Sequence, residues 1–122
     1  MTQILSLRQR VQFGNAIAMG PGKAELLQRI GDCGSISAAA RQMGMSYRRA
    51  WLLVDTMNQC FRSPLVETAA GGSGGGGARI TLLGEQVLAL YQRIEQKTRA
   101  SVADELAELE RNLAPAPPED PH

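Results

Sequence analysis

A mainly α fold carrying a small β-hairpin, an α+β class, is predicted by three stretches of this 122-residue chain. Two short helical patterns meet at a glycine turn between Gly34 and Trp51. A glycine-rich run, Gly71-Gly72-Ser73-Gly74-Gly75-Gly76-Gly77, sits between two short strand patterns. From Gly84 to about Asn112, apolar residues step by threes and fours as in one continuous helix.

The chain opens with Leu5, Leu7, Val11 and Phe13 set among polar residues, which predicts a strand over 5–13, imperfectly in phase through Gln9. Gly14-Asn15 supplies a turn, and Ile17 and Met19 a short return strand. Gly20-Pro21-Gly22 punctuates the chain. Lys23 to Cys33 then carries Leu26, Leu27 and Ile30 at helical spacing, a helix that ends near Gly34 and supports the pair after it.

Ser35 is a good N-cap, because its hydroxyl accepts from an early backbone N–H that has no helical partner. Ile36, Ala39, Ala40 and Met43 give the next helix one apolar face, and the two alanines let another helix cross closely. Gly44 tolerates positive φ and turns the chain. Met45 plugs the turn, and Ser46 caps a second helix. There Tyr47, Ala50, Trp51, Val54, Met57 and Phe61 form one stripe, flanked by Leu53, with Trp51 expected in the core. Arg48 and Arg49 fall off that stripe near the N-terminal end. This is the layout of a helix-turn-helix, whose second helix reads base edges in the major groove of double-stranded DNA. The plainer alternative is a helical hairpin with an Arg-rich exposed turn; the features that follow weigh against it.

Arg62-Ser63-Pro64 ends the helical pattern. Leu65-Val66-Glu67-Thr68 reads as a short strand and Ala78-Arg79-Ile80-Thr81-Leu82 as its return. Strand, glycine tip and strand directly after a recognition helix make a wing. Gly74, Gly75 and Gly76 at its tip allow close approach to a phosphate backbone and leave N–H groups free to meet it. Arg62 and Arg79 add charge at its base. A flexible linker is the alternative for such sequence, and the flanking strands favour the hairpin. No Gly-Lys-Ser/Thr follows, so the run is not a nucleotide-hydrolase phosphate loop.

The long helical pattern carries Val87, Tyr91, Ile94, Thr98, Val102, Leu106, Leu109 and Leu113 on one stripe. About 28 residues span roughly 42 Å, more than the head they follow. Such a stripe must be buried on something. A second copy of the same helix would bury it and would set two recognition helices on two half-sites. Val87, Tyr91, Ile94, Val102, Leu106 and Leu109 are the expected homodimer contacts; folding back on the head is the alternative. The expected organisation is a winged helix-turn-helix over 1–82, a dimerisation helix over 83–113 and a disordered Pro-rich tail over 114–122.

Net charge is only +1, yet it is unevenly spread. Before residue 81, nine basic side chains face four acidic ones; from there on, four face eight. A basic head suits phosphate, and an acidic helix suits another task. No apolar run is long enough for a membrane span and no signal peptide is evident, so a cytoplasmic protein is expected. Cys33 and Cys60, without CxxC spacing, read as reduced buried thiols rather than a redox pair. The one histidine is His122, at the very end. No paired carboxylates, nucleophile–base pair or metal cluster appears in a structured stretch, so no enzyme, cofactor or metal is expected.

Taken together, these residues closely resemble the N-terminal DNA-binding domain of ModE-type molybdenum-dependent transcriptional regulators; LysR-type regulators have a related head. The matching pieces are Gly20-Pro21-Gly22 with Leu26-Leu27, then Gly34-Ser35-Ile36-Ser37 with Ala39-Ala40. Met45-Ser46-Tyr47-Arg48-Arg49-Ala50-Trp51, Asn58, Leu65-Val66-Glu67, the glycine run, Thr81 and Gly84 complete the set, which covers roughly residues 5–95. The resemblance implies a winged helix-turn-helix dimer on a palindromic operator. By position it puts the DNA contacts on Ser46, Tyr47, Arg48, Arg49 and the glycine wing. From the chemistry of the residues, one of Arg48 and Arg49 pairs with guanine O6/N7 and the other meets phosphate. Ser35 and Ser37 contact phosphate at the start of the preceding helix, and Tyr47 is divided between core and DNA backbone.

Full-length family members also carry a C-terminal oxyanion-binding region that senses molybdate, and no counterpart follows the long helix here. The resemblance therefore implies a single-domain regulator, either constitutive or served by a separate sensor protein, and its tie to molybdenum genes comes from the family alone. A second reading is a protein-interaction module that heterodimerises with a full-length regulator and modulates it.

Overall fold

The computed structural model describes residues 5–69 and 77–119. In chain order its elements are β1 (Val11–Phe13), β2 (Ala16–Met19), α1 (Pro21–Cys33), α2 (Ile36–Gln42), α3 (Tyr47–Cys60), β3 (Val66–Thr68), β4 (Ala78–Ile80), α4 (Leu82–Ser101) and α5 (Ala103–Arg111). The described chain is mainly helical, with two antiparallel strand pairs, β1–β2 and β3–β4.

The first pair is shorter than the sequence predicts. Gln12 faces Ile17 and Phe13 faces Ala16 across a Gly14-Asn15 turn with Gly14 at φ 61°. The ladder stops because β2 runs directly into Gly20 and α1, leaving residues 5–10 no strand to pair with. The inward alternation holds only over residues 5–9, where Leu5 and Leu7 are half-buried; Val11 and Phe13 are exposed.

The helices start and stop where their caps dictate. α1 opens on Pro21 and ends at Gly34, whose φ of 71° lets its N–H reach the Ile30 carbonyl at 2.8 Å. Ser35 Oγ accepts from the Ala38 N–H at 3.1 Å and Ser46 Oγ from the Arg49 N–H at 3.1 Å. Each such cap stabilises its helix by about 1 kcal/mol. Between α2 and α3, Gly44 sits at φ 69° and the Met45 N–H donates to the Ala40 carbonyl. α1, α2 and α3 pack pairwise around Leu26, Leu27, Ile30, Ala39, Ala40, Ala50 and Met57. Cys33 and Cys60 are free and half-buried, not fully buried as expected; the Cys33 thiol donates to the Ser35 carbonyl.

The second hairpin and α4 are tied to α3 at Leu65. Asn58 Oδ1 accepts from the N–H groups of Leu65 (2.8 Å) and Val66 (3.2 Å), while its Nδ2 donates to the Val66 carbonyl (3.1 Å). On the other side, the Thr81 N–H donates to the Leu65 carbonyl at 2.9 Å, and Thr81 Oγ1 reaches the Pro64 and Leu65 carbonyls. Thr81 also caps α4 by accepting from the Gly84 N–H at 3.0 Å. It therefore ends the hairpin rather than extending it, and Leu82 is helical instead of strand. Gly84 lies directly on this joint: a Cβ there would overlap the Leu65 carbonyl and sit 2.6 Å from Ile80 Cγ1.

The single long helix predicted from 84 to 112 is interrupted. Val102 leaves helical geometry (φ −116°, ψ 20°) and separates α4 from α5. The N-terminal segment lies against both pieces: Arg99 Nη2 donates to the Leu5 carbonyl at 2.7 Å, and the Leu5 N–H approaches Glu110 Oε1 at 3.4 Å. A β-branched residue is a weak helix former at the break. The first half of α4 belongs to the head, so the core crosses the expected boundary at 82/83. Val87 and Tyr91, predicted as dimer contacts, are buried in that core with Leu88 because α4 packs on α1 and β4. The Tyr91 hydroxyl donates to the Gln9 carbonyl at 2.6 Å. Ile94 and Leu109 remain exposed, and Val102 and Leu106 half-buried. Residues 114–119 are exposed and carry neither helix nor strand.

Two substitutions test the joint. Gly84→Ala is expected to lower unfolding free energy in urea by roughly 1–3 kcal/mol, the usual range for overpacking. Asn58→Ala strips two buried N–H groups of their acceptor and is expected to lose about 2 kcal/mol or more. Unchanged urea midpoints would show that the hairpin and α4 are held elsewhere.

Candidate nucleic-acid interface

At about 100° per residue, α3 divides into strips. Ala50, Val54 and Met57 point into the core and are buried. Opposite them, Arg48 and Leu52 lie one turn apart at the centre of the exposed face. Tyr47 and Trp51 form one flank and Arg49 and Leu53 the other. Trp51 is the main departure from the sequence reading. It is 45% exposed and Tyr47 is 55% exposed, so neither belongs to the core stripe. A stripe broad enough to include 47, 50, 51 and 54 overstates the arc that α1 and α2 cover. The core takes the small Ala50, which lets α3 lie close to its neighbours.

The Tyr47–Trp51 flank faces the second hairpin. A concavity of about 280 Å³ is lined there by Ser35, Ser37, Tyr47, Trp51 and the hairpin base at Thr68, Ala69, Gly77 and Ala78. Ser35 and Ser37 are half-buried on its wall, 3.3 Å apart at their hydroxyl oxygens. The Ser35 oxygen is already occupied as a helix cap, which leaves Ser37 the freer of the two. Arg79 points outward from β4, paired at 3.0 Å with Glu67 across the ladder, its side chain 81% exposed. An ion pair that open to water is worth little and leaves the guanidinium available. Gly74, Gly75 and Gly76 lie outside the described residues.

The opposite flank faces a wider concavity of about 550 Å³. Arg49 and Leu53 from α3 meet Met45, the start of α1 at Gly20, Pro21, Gly22 and Lys23, and Arg8 and Arg10 from the N-terminal segment. No carboxylate lines it. Burial draws the Lys23 ammonium below the ordinary lysine range; Cys60 pulls it upward, and the Arg10 and Arg49 guanidiniums push it down. Sequence reasoning placed Arg49 on the interface but missed Arg8, Arg10 and Lys23, because nothing in their spacing shows that they converge. Among the described residues, neither Arg48 nor Arg49 forms an ion pair.

The face thus carries Arg48 beside Leu52 at its centre, two aromatic rings on one flank and a cluster of basic side chains on the other. Among the described residues no group of three or more His, Cys, Asp or Glu side chains is placed to hold a metal ion. No described helix is long and apolar enough to cross a membrane.

No family model matches the chain. It is 46% identical over 95 residues to the molybdenum-pterin-binding protein MopB of Rhodobacter capsulatus, a match covering 78% of this chain and 34% of that protein. It is 40% identical over 97 residues to the transcriptional regulator ModE of Yersinia pestis (77% and 37% covered). To the DNA-binding transcriptional dual regulator ModE of Escherichia coli K12 it is 41% identical over 88 residues (70% and 34% covered). The matched stretch spans about a third of the length of these relatives. Among solved structures, ArgP from Mycobacterium tuberculosis matches with a TM-score of 0.46 at 20% identity, covering 74% of this chain and 30% of that one.

Trp51, the chain's one tryptophan, reports directly on the exposed flank. Its fluorescence is expected to be red-shifted and readily quenched by acrylamide. Trp51→Ala is expected to lower stability by less than about 1 kcal/mol, where a core tryptophan would lose about 3–5. A blue-shifted, protected emission with a large loss would return Trp51 to the core.

Proposed function

Because the chain belongs, over the stretch it shares with these relatives, to the ModE-type family, we propose that it is a sequence-specific DNA-binding transcriptional regulator acting as a homodimer on a palindromic operator. In this reading α2 and α3 are the helix-turn-helix and β3–β4 its wing. The observation that carries it is the exposed face of α3, where Arg48 stands at the centre without an acidic partner among the described residues.

The strips of α3 give the two arginines different tasks. Arg48 projects along the axis of approach, with Leu52 one turn behind it, and pairs with guanine O6/N7 in the major groove. Arg49 is turned toward the basic flank and meets backbone phosphate. Tyr47 and Trp51 lie on the wing side, where flat rings pack against sugars and thymine methyl groups. Ser37 and Arg79 add phosphate contacts around the rim, and Ser46, whose oxygen caps α3, can still donate its O–H there.

Dimerisation falls to the later part of the long helical region. Ile94 and Leu109 are exposed, Val102 and Leu106 are half-buried, and α5 buries no residue of its own. Pairing these apolar groups across a two-fold axis brings two α3 helices to one face of DNA. One of these relatives, MopB, is named as a molybdenum-pterin-binding protein, and the genes controlled here are proposed to be molybdenum-related.

Binding of an operator duplex, followed by fluorescence anisotropy, tests the reading. Arg48→Ala is expected to erase the preference for operator over scrambled duplex, a loss of about 1–3 kcal/mol of discrimination per half-site. Arg49→Ala is expected to weaken both duplexes alike. Ile94→Glu with Leu109→Glu is expected to give a folded monomer by light scattering with little operator affinity. A wild-type protein that binds both duplexes equally, or a double variant that stays dimeric, would contradict the corresponding part.

A further inference from the structure

We propose that the basic concavity formed by Arg8, Arg10, Lys23 and Arg49 is a phosphate-binding site that holds a DNA backbone phosphate on the side of the recognition helix away from the wing. The inference rests on the DNA-binding reading above and extends it to residues outside the helix-turn-helix.

Three separate pieces of chain bring these cations together. Burial alternates along residues 5–10, with Leu5, Leu7 and Gln9 turned inward and Arg8 and Arg10 outward. The Tyr91 hydroxyl holds the Gln9 carbonyl at 2.6 Å, fixing the strip between the two arginines. The Arg10 stem passes beside Gly20, where a Cβ would sit 3.5 Å from its Cγ. Lys23 comes from the first turn of α1 and Arg49 from the first turn of α3.

Four cations lining one concavity without a carboxylate repel one another, and an anion relieves that repulsion. The start of α1 adds donors to the same place. Gly20 provides no side-chain cap, Pro21 has no N–H and no acidic residue occupies the first turn. The N–H groups of Gly22 and Lys23 therefore lack helical acceptors, and the helix dipole points its positive end there. Gly22 is exposed, and a Cβ on it would meet nothing within 4 Å, so the approach is open.

The source of the phosphate follows from Arg49. It shares α3 with Arg48 and lies on the flank opposite Tyr47 and Trp51. A helix seated in the major groove has a phosphate strand on each side. The hairpin and Ser37 meet one strand, and the four-cation concavity meets the other. Both walls of the groove are then gripped, which fixes the angle at which Arg48 enters.

The test compares wild type with Arg10→Gln/Lys23→Gln and with the charge-keeping Arg10→Lys/Lys23→Arg, on operator and scrambled duplexes over a range of KCl concentrations. Thermal melts of all three confirm folding. The neutral pair is expected to weaken both duplexes, to keep the preference between them, and to make the slope of log K against log salt shallower by about 0.9. The charge-keeping pair is expected to restore the slope. Replacing single operator phosphates by methylphosphonates is expected to reveal one position at the site edge to which wild type is sensitive and the neutral pair is not. An unchanged slope in the neutral pair, with Arg48→Ala still erasing specificity, would overturn the site while leaving the DNA reading intact. Perturbation of the Gly22 and Lys23 amide resonances by inorganic phosphate, with duplex binding untouched by the neutral pair, would reassign it to a small anion and likewise overturn the proposal. A wild type that binds neither duplex would remove the DNA reading first.

Discussion

The backbone of Leu65 is the joint on which the working face depends. Its N–H is held by Asn58 from α3, and its carbonyl is held by Thr81 from the far end of the hairpin. Gly84 brings α4 into contact with the same carbonyl, and the Leu65 side chain is fully buried. Three elements are thereby registered against one residue. Buried N–H and C=O groups left without partners would each cost about 1–3 kcal/mol, so the arrangement has little room to slip. Asn58 lies on the same strip of α3 as Tyr47 and Trp51. The bonds that hold the hairpin therefore also decide which flank of α3 it borders.

From that joint the rest of the face follows by helix geometry. With the hairpin fixed on the Tyr47–Trp51 side, Arg48 and Leu52 are left facing outward and Arg49 turns toward the start of α1. The N-terminal segment adds to this second flank because Tyr91 pins it through the Gln9 carbonyl. Tyr91 thus acts in the interior, where burial, then the neighbouring Glu95, push its phenol above the ordinary tyrosine value. A residue expected to join two copies of the chain instead positions a strip of its own head.

Much of this was legible in the sequence where a single residue imposes a local geometry. Ser35, Gly44 and Ser46 marked the two-helix turn, and Gly34 marked the end of α1, because caps and positive-φ turns act over three or four residues. The hairpin after α3 was legible from its strand patterns. What the sequence did not reveal depends on tertiary partners. Trp51 looked like core because periodicity counts apolar residues without knowing that α1 and α2 cover only the strip through Ala50, Val54 and Met57. The continuous pattern from 84 to 112 hid the break at Val102, since a helical repeat survives a local interruption. The same pattern spread Val87 and Tyr91 into the expected seam between subunits, although α1 and β4 bury them. Arg8, Arg10 and Lys23 converge with Arg49 only after folding, and no spacing rule connects them.

In the proposed function, the outward face of α3 is read against DNA base edges by a two-fold pair of heads. Selection of bound sequences from a random duplex library, at about 0.15 M salt, tests that most directly. The expected result is enrichment of one palindrome, whose two half-sites each contain a guanine whose replacement abolishes the difference between wild type and Arg48→Ala. A folded, dimeric protein that enriches no sequence would contradict it.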